Sequence, residues 1–290
     1  MDILLQSIVT GVLLGGLYAI IGVGMSMIFG IMRLTNIAHG DIMILSSFLT
    51  MFFMQHVIGN PVAALLLTIA VMLVFGFCIQ HFLINNVISK GDEPALLVTF
   101  GLSIIVSNGL FLIFGPAARG VPTELIRTNL INANGISVSS MYALNFVVAV
   151  AVIIALSLIM GRTSLGRGIR AASSDTLMSE LLGVNTKRMY VYAMLLTVTT
   201  ASIAGMLVGM TFTFYPTTGT QYLIIAFGCV VIGGMGSLVG TLLGGVILGL
   251  AQLVGASFLG SAYQQLIGFL VLLVILAVRP QGLLSKAVRK

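Results

Sequence analysis

Six consecutive residues, Asn36-Ile37-Ala38-His39-Gly40-Asp41, place an amide, an imidazole and a carboxylate between two apolar stretches. Ionisable groups in or beside hydrocarbon are costly, and where they occur they commonly mark a pathway, a gate or a relay. Gly40 permits a sharp turn and close backbone approach. With helix from Ala38 onward, the first turn offers free N–H groups and a positive dipole end, which a carboxylate can meet or Asn36 can cap. The spacing supports two readings. One is a translocation or gating element built on Asn36, His39, Gly40 and Asp41; the other is a polar interfacial turn capped by Asn36, with Asp41 near the first helical turn.

A second group lies in the segment 161–188, which carries Arg162, Arg167, Arg170, Lys187 and Arg188. Within it, residues 175–182 have the spacing of a short amphipathic helix. Leu177, Met178, Leu181 and Leu182 are apolar, Asp175, Ser179 and Glu180 polar, and Gly183 suits a helix stop. Such a helix at a membrane surface can dock on a soluble partner. Equally, the cations can do no more than fix topology. Glycines form a third group: Gly233, Gly234, Gly236, Gly240, Gly244, Gly245 and Gly249 crowd one stretch, and Gly11 and Gly15 precede Ala19. Gly236, Gly240 and Gly244 recur every four residues, which predicts one helix face for close packing in lipid. Contacts without side chains are also the kind along which helices slide.

Enzymatic signatures are missing. The sequence has no nucleophile–base set, HExxH, carboxylate pair or metal-ligand spacing, and no GxxxxGK[ST] phosphate loop. Cys78 and Cys229 lie inside apolar runs and read as packing residues rather than a disulfide. His56 and His81 read as interfacial, and Arg33 as a snorkelling cation.

What must position these groups is a membrane bundle. Of the 290 residues, 59% are hydrophobic and 7% charged, against roughly 25% charged in soluble domains. The mean hydropathy is +1.18. No Asp, Glu, Lys or Arg occurs at 3–32, 42–89 or 189–278. Alternating strand patterning is absent, which leaves helices as the structure that satisfies the backbone in lipid. The net charge of +6 sits in short loops, so it reads as topology and not as nucleic-acid binding. Predicted spans are 4–29, 38–57, 61–84, 95–115, 141–160, 189–212, 221–236, 238–258 and 262–279, within a range of eight to ten. Without a positive region before it, the first is a retained span. The fold class is thus an all-α polytopic bundle, one transmembrane domain over 1–290. The cations of 161–188 and of the tail (Arg279, Lys286, Arg289, Lys290) place that loop and the C-terminus in the cytoplasm and the N-terminus outside. The 116–140 loop, with Arg119 and Arg127 against Glu124, then lies outside. An inverted repeat is expected. A small-residue span ends in the 30–41 turn, and a span around Gly205 and Gly209 ends in the turn Tyr215-Pro216-Thr217-Thr218-Gly219-Thr220.

Three segments together resemble one family. The run from Met27 through Asn36-Ile37-Ala38-His39-Gly40-Asp41 looks like the N-terminal signature of LivH-type permeases, N-x-A-H-G followed by an acid. Leu165-Gly166-Arg167-Gly168-Ile169-Arg170-Ala171, with Asp175 and Leu181-Leu182-Gly183-Val184-Asn185, resembles their long cytoplasmic loop. Gly233-Gly234-Met235-Gly236-Ser237 with Gly240, Gly244 and Gly245 is similar to their C-terminal glycine block. The order and spacing cover nearly the whole chain. The resemblance implies a permease subunit of a branched-chain amino-acid ABC importer in a prokaryotic inner membrane. It would work with a second permease in a heterodimer, two cytoplasmic ATPases and an extracytoplasmic binding protein. This chain would bind no cofactor, ATP being used by the partners. The family's ATPase contact would fall on Arg170, Asp175, Leu177, Met178, Glu180, Leu181 and Gly183. The wider pattern EAAxxxG survives there only as Ser179-Glu180-Leu181-Leu182-Gly183. Relatives with the same signatures resemble transporters of urea, short amides and other small polar solutes. A self-sufficient channel or ion-coupled carrier is the rival from another class, and the charge-free 189–278 stretch argues against carboxylate-based ion coupling.

Overall fold

A computed structural model of the chain describes residues 2–32, 34–123, 129–133, 136–279 and 281–284. Arg33, Glu124, Arg127, Lys286, Arg289 and Lys290 lie outside them. The elements are α1 (Asp2–Met32), α2 (His39–His56), α3 (Pro61–Cys78) and a π-helical stretch (Ile79–Ile84) that continues into the short α4 (Asn85–Val87). Then come α5 (Asp92–Phe114), β1 (Asn129–Ala133), β2 (Ile136–Ser139), α6 (Ser140–Arg162), α7 (Ser164–Ser174), α8 (Thr176–Leu181), α9 (Thr186–Thr211), α10 (Gly219–Gly233), α11 (Leu238–Leu259) and α12 (Gln264–Val278). Every span expected from hydropathy is a helix. Among the described residues, eight helices are long and apolar enough to cross a membrane. The remaining long helix, α2, has polar ends and buries Asp41, Ser46, Ser47 and Thr50. Protein rather than lipid surrounds those groups, so α2 does not need an apolar sequence.

Several expectations need correction. The 116–140 loop contains a two-stranded antiparallel ribbon, β1 with β2, in an otherwise helical chain. The 161–188 segment contains α7 ahead of the expected short helix, started by the Thr163 hydroxyl, which accepts from the Gly166 N–H at 3.0 Å. Gly236 is not on a helical face with Gly240 and Gly244. It lies in the turn before α11 at φ +82°, a left-handed conformation that ends one helix and starts the next.

The bundle is layered around two helices. In α1 83% of the spanning window is buried and in α9 72%, against 6% in the segment that contains α12. Glycine sets the closest approaches. Gly11 and Gly15 of α1 meet Gly245, Val246, Gly249 and Leu250 of α11 backbone to backbone. Gly244 and Gly240, on another side of α11, meet Cys229 and Gly233 of α10. One helix therefore seats two neighbours on two glycine faces, which replaces the side-chain interdigitation that water would otherwise drive.

The two long central helices each lead into a helix that starts partway along the bundle. α10 has 15 residues, roughly 22 Å, and reaches spanning length only together with the 3-10 turn Pro216–Thr218 ahead of it. It runs beside α1 in the same direction, since Gly22 faces Ala226 and Cys229 while Gly30 faces Gly236. Correspondingly, α2 runs with α9: Gly205 faces Met43 and Ser46, Gly209 faces Ser47 and Phe214, and Phe214 packs on Phe48. α11 packs on α1 as α3 packs on α9. The two units, α1–α3 and α9–α11, are thus related by inversion, with α2 and α10 meeting head to head.

Candidate functional site

That meeting point is built from two glycines. A Cβ on Gly40 would strike the Gly219 carbonyl, and one on Gly219 would strike the Asp41 carboxylate, with the Asp41 nitrogen 2.8 Å away. Two helix N-termini therefore converge, each the positive end of a helix dipole. The Asp41 side chain lies between them, 3% exposed. Its Oδ2 accepts from the Ser103 hydroxyl of α5 at 2.5 Å.

The preceding turn is fixed by its own polar groups. The Asn36 Oδ1 accepts from the Ala38 N–H at 3.1 Å, and the Asn36 carbonyl accepts from the His39 N–H at 3.2 Å. Asn36 thus braces the turn ahead of α2 instead of capping the helix, whose N-cap is Ala38. The buried His39 ring reaches α1: Nε2 lies 2.9 Å from the Ile21 carbonyl and donates to it. Nδ1 is left without a protein partner. Gly24 makes room for that ring, since a Cβ there would come within 2.8 Å of His39 Cε1. All four residues of the cluster are brought together, and they lie in the packed centre of the bundle.

Sequence spacing missed the partner that braces this centre. Along α5, Thr99, Ser103 and Ser107 recur every fourth residue and form one face. Thr99 Oγ1 accepts from the Ile37 N–H at 3.3 Å, Ser103 donates to Asp41, and Ser107 donates to the Pro216 carbonyl at 3.2 Å. One helix thereby ties the turn before α2 to the turn before α10. Hydroxyls at that period within an apolar span were the available signal.

A cavity of about 500 Å³ opens beside the second turn. Its floor is a hydrogen bond between the buried Tyr18 hydroxyl of α1 and Gln252 Oε1 of α11, 2.6 Å apart. Tyr222 and Gln221 of α10, with Gln265 of α12, add polar walls; Ile225, Phe212 and Phe269 add apolar ones. Among the described residues, no charged side chain lines it. None of Asn36, His39, Gly40 or Asp41 does either.

The other end of the bundle carries the cationic segment. α9 has 26 residues, roughly 39 Å, between α8 and the 212–218 turn, so the cavity mouth and α8 are at opposite ends. Asp175 caps α8 by accepting from the Met178 N–H at 2.9 Å, and Gly183, at φ +84°, ends the turn. Leu177, Met178, Leu181 and Leu182 are 57–84% exposed, whereas Ser179 is buried. The apolar face therefore points away from the bundle. Glu180 accepts from the Thr186 hydroxyl at 2.5 Å, and Arg170 is bonded to the Met160 carbonyl at the end of α6.

The arrangement matches known proteins. The family model for the permease component of branched-chain amino acid transport systems matches residues 7–276. The high-affinity branched-chain amino acid transport system permease protein BraD of Pseudomonas aeruginosa is 32% identical, over 97% of this chain and 96% of that protein. The corresponding LivH proteins of Salmonella typhimurium and Escherichia coli K12 are each 28% identical over the same shares.

Proposed function

This chain belongs to the family of branched-chain amino acid transport system permease components, and from that membership we propose that it is the membrane-spanning subunit of an ATP-driven importer of branched-chain amino acids. The observation that carries the proposal is similarity over nearly the full length to relatives that are permease proteins of such systems. A family of permeases performs translocation and not covalent chemistry, and the sequence holds no phosphate loop. ATP hydrolysis then belongs to two cytoplasmic ATPase subunits. A second permease subunit completes the pathway, and an extracytoplasmic binding protein delivers the amino acid. The membrane is the prokaryotic inner membrane, with the α7–α8 end and the C-terminus in the cytoplasm and the N-terminus in the periplasm; the basic residues of 161–188 support that orientation.

Two parts of the chain have distinct roles in this reading. α8, with Arg170, Asp175, Leu177, Met178, Glu180, Leu181 and Gly183 on or near it, is the surface on which an ATPase docks. Its exposed leucines and methionine are what a soluble groove would bury. The crossing of α2 and α10, with Asn36, His39, Gly40 and Asp41, is the pivot between outward- and inward-open packings. The meeting of the α2 and α10 N-termini supports this, because helix ends near the bilayer midplane are where transporters of inverted architecture change state. The glycine seams between α1, α11 and α10 are the contacts along which such movement occurs.

The docking role is tested by co-purification. A Leu181→Asp/Leu182→Asp double substitution is expected to release the ATPase while the permease still enters the membrane; retention at the wild-type level removes α8 from docking. His39→Ala is expected to reduce leucine uptake without loss of insertion, and normal uptake would remove His39 from the pivot.

A further inference from the structure

The cavity floored by Tyr18 and Gln252 lies beside the pivot, on its α10 flank, and at the opposite end of the bundle from α8. Its composition is unusual for a space within a membrane bundle. Phenols, primary amides and the hydroxyls of Thr213, Thr218 and Ser261 supply its polar atoms, with no charged side chain among the described residues. A carboxamide and a phenol each donate and accept, so together they can meet both a carboxylate and an ammonium group. Neutral donors also bind without an ionic trap. A conduction path needs that property, because a ligand must be able to leave as well as enter. The apolar wall of Ile225 and Phe269 completes a site for a molecule that is polar at one end and aliphatic at the other. A volume of about 500 Å³ falls within the roughly 300–1,000 Å³ of small-molecule sites.

Position adds to composition. Tyr18 lies midway along α1, between Gly15 and Ala19, and Gln252 follows Gly249 on α11. The floor bond is therefore an extension of the glycine seam that joins those two helices, where Gly15 and Ala19 touch Gly245. Any slide of α1 against α11 must break it. Gly268 of α12 leaves room for the Gln252 amide, since a Cβ there would lie 2.6 Å from Nε2. Tyr18 engages only the Gln252 oxygen, which leaves the amide nitrogen for another acceptor.

We propose that this cavity is a substrate subsite for a small zwitterionic amino acid with an aliphatic side chain, and that the Tyr18–Gln252 pair is a polar floor that opens when α1 moves on α11. The proposal rests on the importer reading above and adds the location and chemistry of the path. Entry is from the end opposite α8, where Ser261, Ala262 and Gln265 form the rim.

The test uses the complete complex in proteoliposomes, with leucine as probe, saturating binding protein, and uptake and ATP hydrolysis measured together. Gln252→Leu removes the amide and keeps the volume; Ala262→Trp, at an exposed rim position, blocks the mouth without touching the packed interior. Gln252→Leu is expected to lower leucine uptake per ATP hydrolysed by about tenfold or more, the effect of one lost hydrogen bond to a charged group, and Ala262→Trp is expected to lower the same ratio by closing the entrance. Binding-protein-stimulated ATPase activity should persist. If Gln252→Leu fails to assemble, the decision passes to Ala262→Trp. Wild-type vesicles that take up leucine, beside an Ala262→Trp complex with an unchanged ratio, overturn the cavity alone. Wild-type vesicles that hydrolyse ATP but import no leucine overturn the importer reading and the subsite with it.

Discussion

The α1–α2 and α9–α10 units share one construction, a long buried helix followed by a turn and a second helix that starts partway along the bundle, and differ in what surrounds that second helix. Beside α2 the space is filled. Phe48 stacks on Phe114 at 4.7 Å and meets Phe214 edge-on at 4.9 Å, and its side chain is completely buried. Beside α10 the corresponding region is the cavity, walled by Tyr222 and Gln221. Charge is just as unequal. The first unit supplies His39 and Asp41, while the second supplies Thr218, Gly219 and Thr220 at its turn. A single carboxylate suffices where two positive helix ends converge, and a second one opposite would repel it. The inverted pair therefore divides its work: one half anchors the crossing, and the other leaves room beside it.

Substitutions at the crossing itself should have the largest effect. Gly40→Val or Gly219→Val places a branched side chain on the other helix's backbone or on Asp41. Either is expected to abolish folded protein, read as loss of the monodisperse peak in detergent size-exclusion chromatography. Filling the open side instead, as with Ala262→Trp, should leave that peak intact. Phe48→Ala empties the filled side and should cost about 3–5 kcal/mol, seen as a large fall in Tm in detergent. Asp41→Ala leaves two helix ends without their carboxylate and Ser103 without its acceptor, for a loss of about 2–3 kcal/mol. Asp41→Asn, which keeps an acceptor for Ser103, should recover part of that Tm loss. An equal loss for both would show that the negative charge, not the hydrogen bond, is what the crossing uses. The smallest effect is Ser107→Ala, about 1 kcal/mol, because it removes one hydrogen bond, to the Pro216 carbonyl.

Much of this could be read from the chain, for identifiable reasons. The turn at 36–41 stood out because a carboxylate and an imidazole are conspicuous among apolar residues. The short helix ending at Gly183 was legible from local periodicity and a stop residue. Gly236 misled, since spacing by four suggests a helix face whether or not a helix is present; its left-handed φ is a backbone property that the residue name only permits. Tyr18 and Gln252 gave no sign of each other across 234 positions, and each alone is an ordinary polar residue in a span. Thr99, Ser103 and Ser107 were likewise unremarkable, because serine and threonine in membrane helices usually bond their own backbone.

By itself the sequence determined the solvent, a helical bundle of eight to ten spans, the polar turn and the amphipathic pattern of α8. Hydrocarbon excludes charge over lengths set by helix rise, so those features are local sums along the chain. Only the tertiary structure decided that two turns re-enter to meet at Gly40 and Gly219, that α5 stitches them together, and that one flank is packed while the other is open. Those outcomes depend on which glycine faces find each other, and van der Waals fit between distant helices is not encoded in any single window of residues.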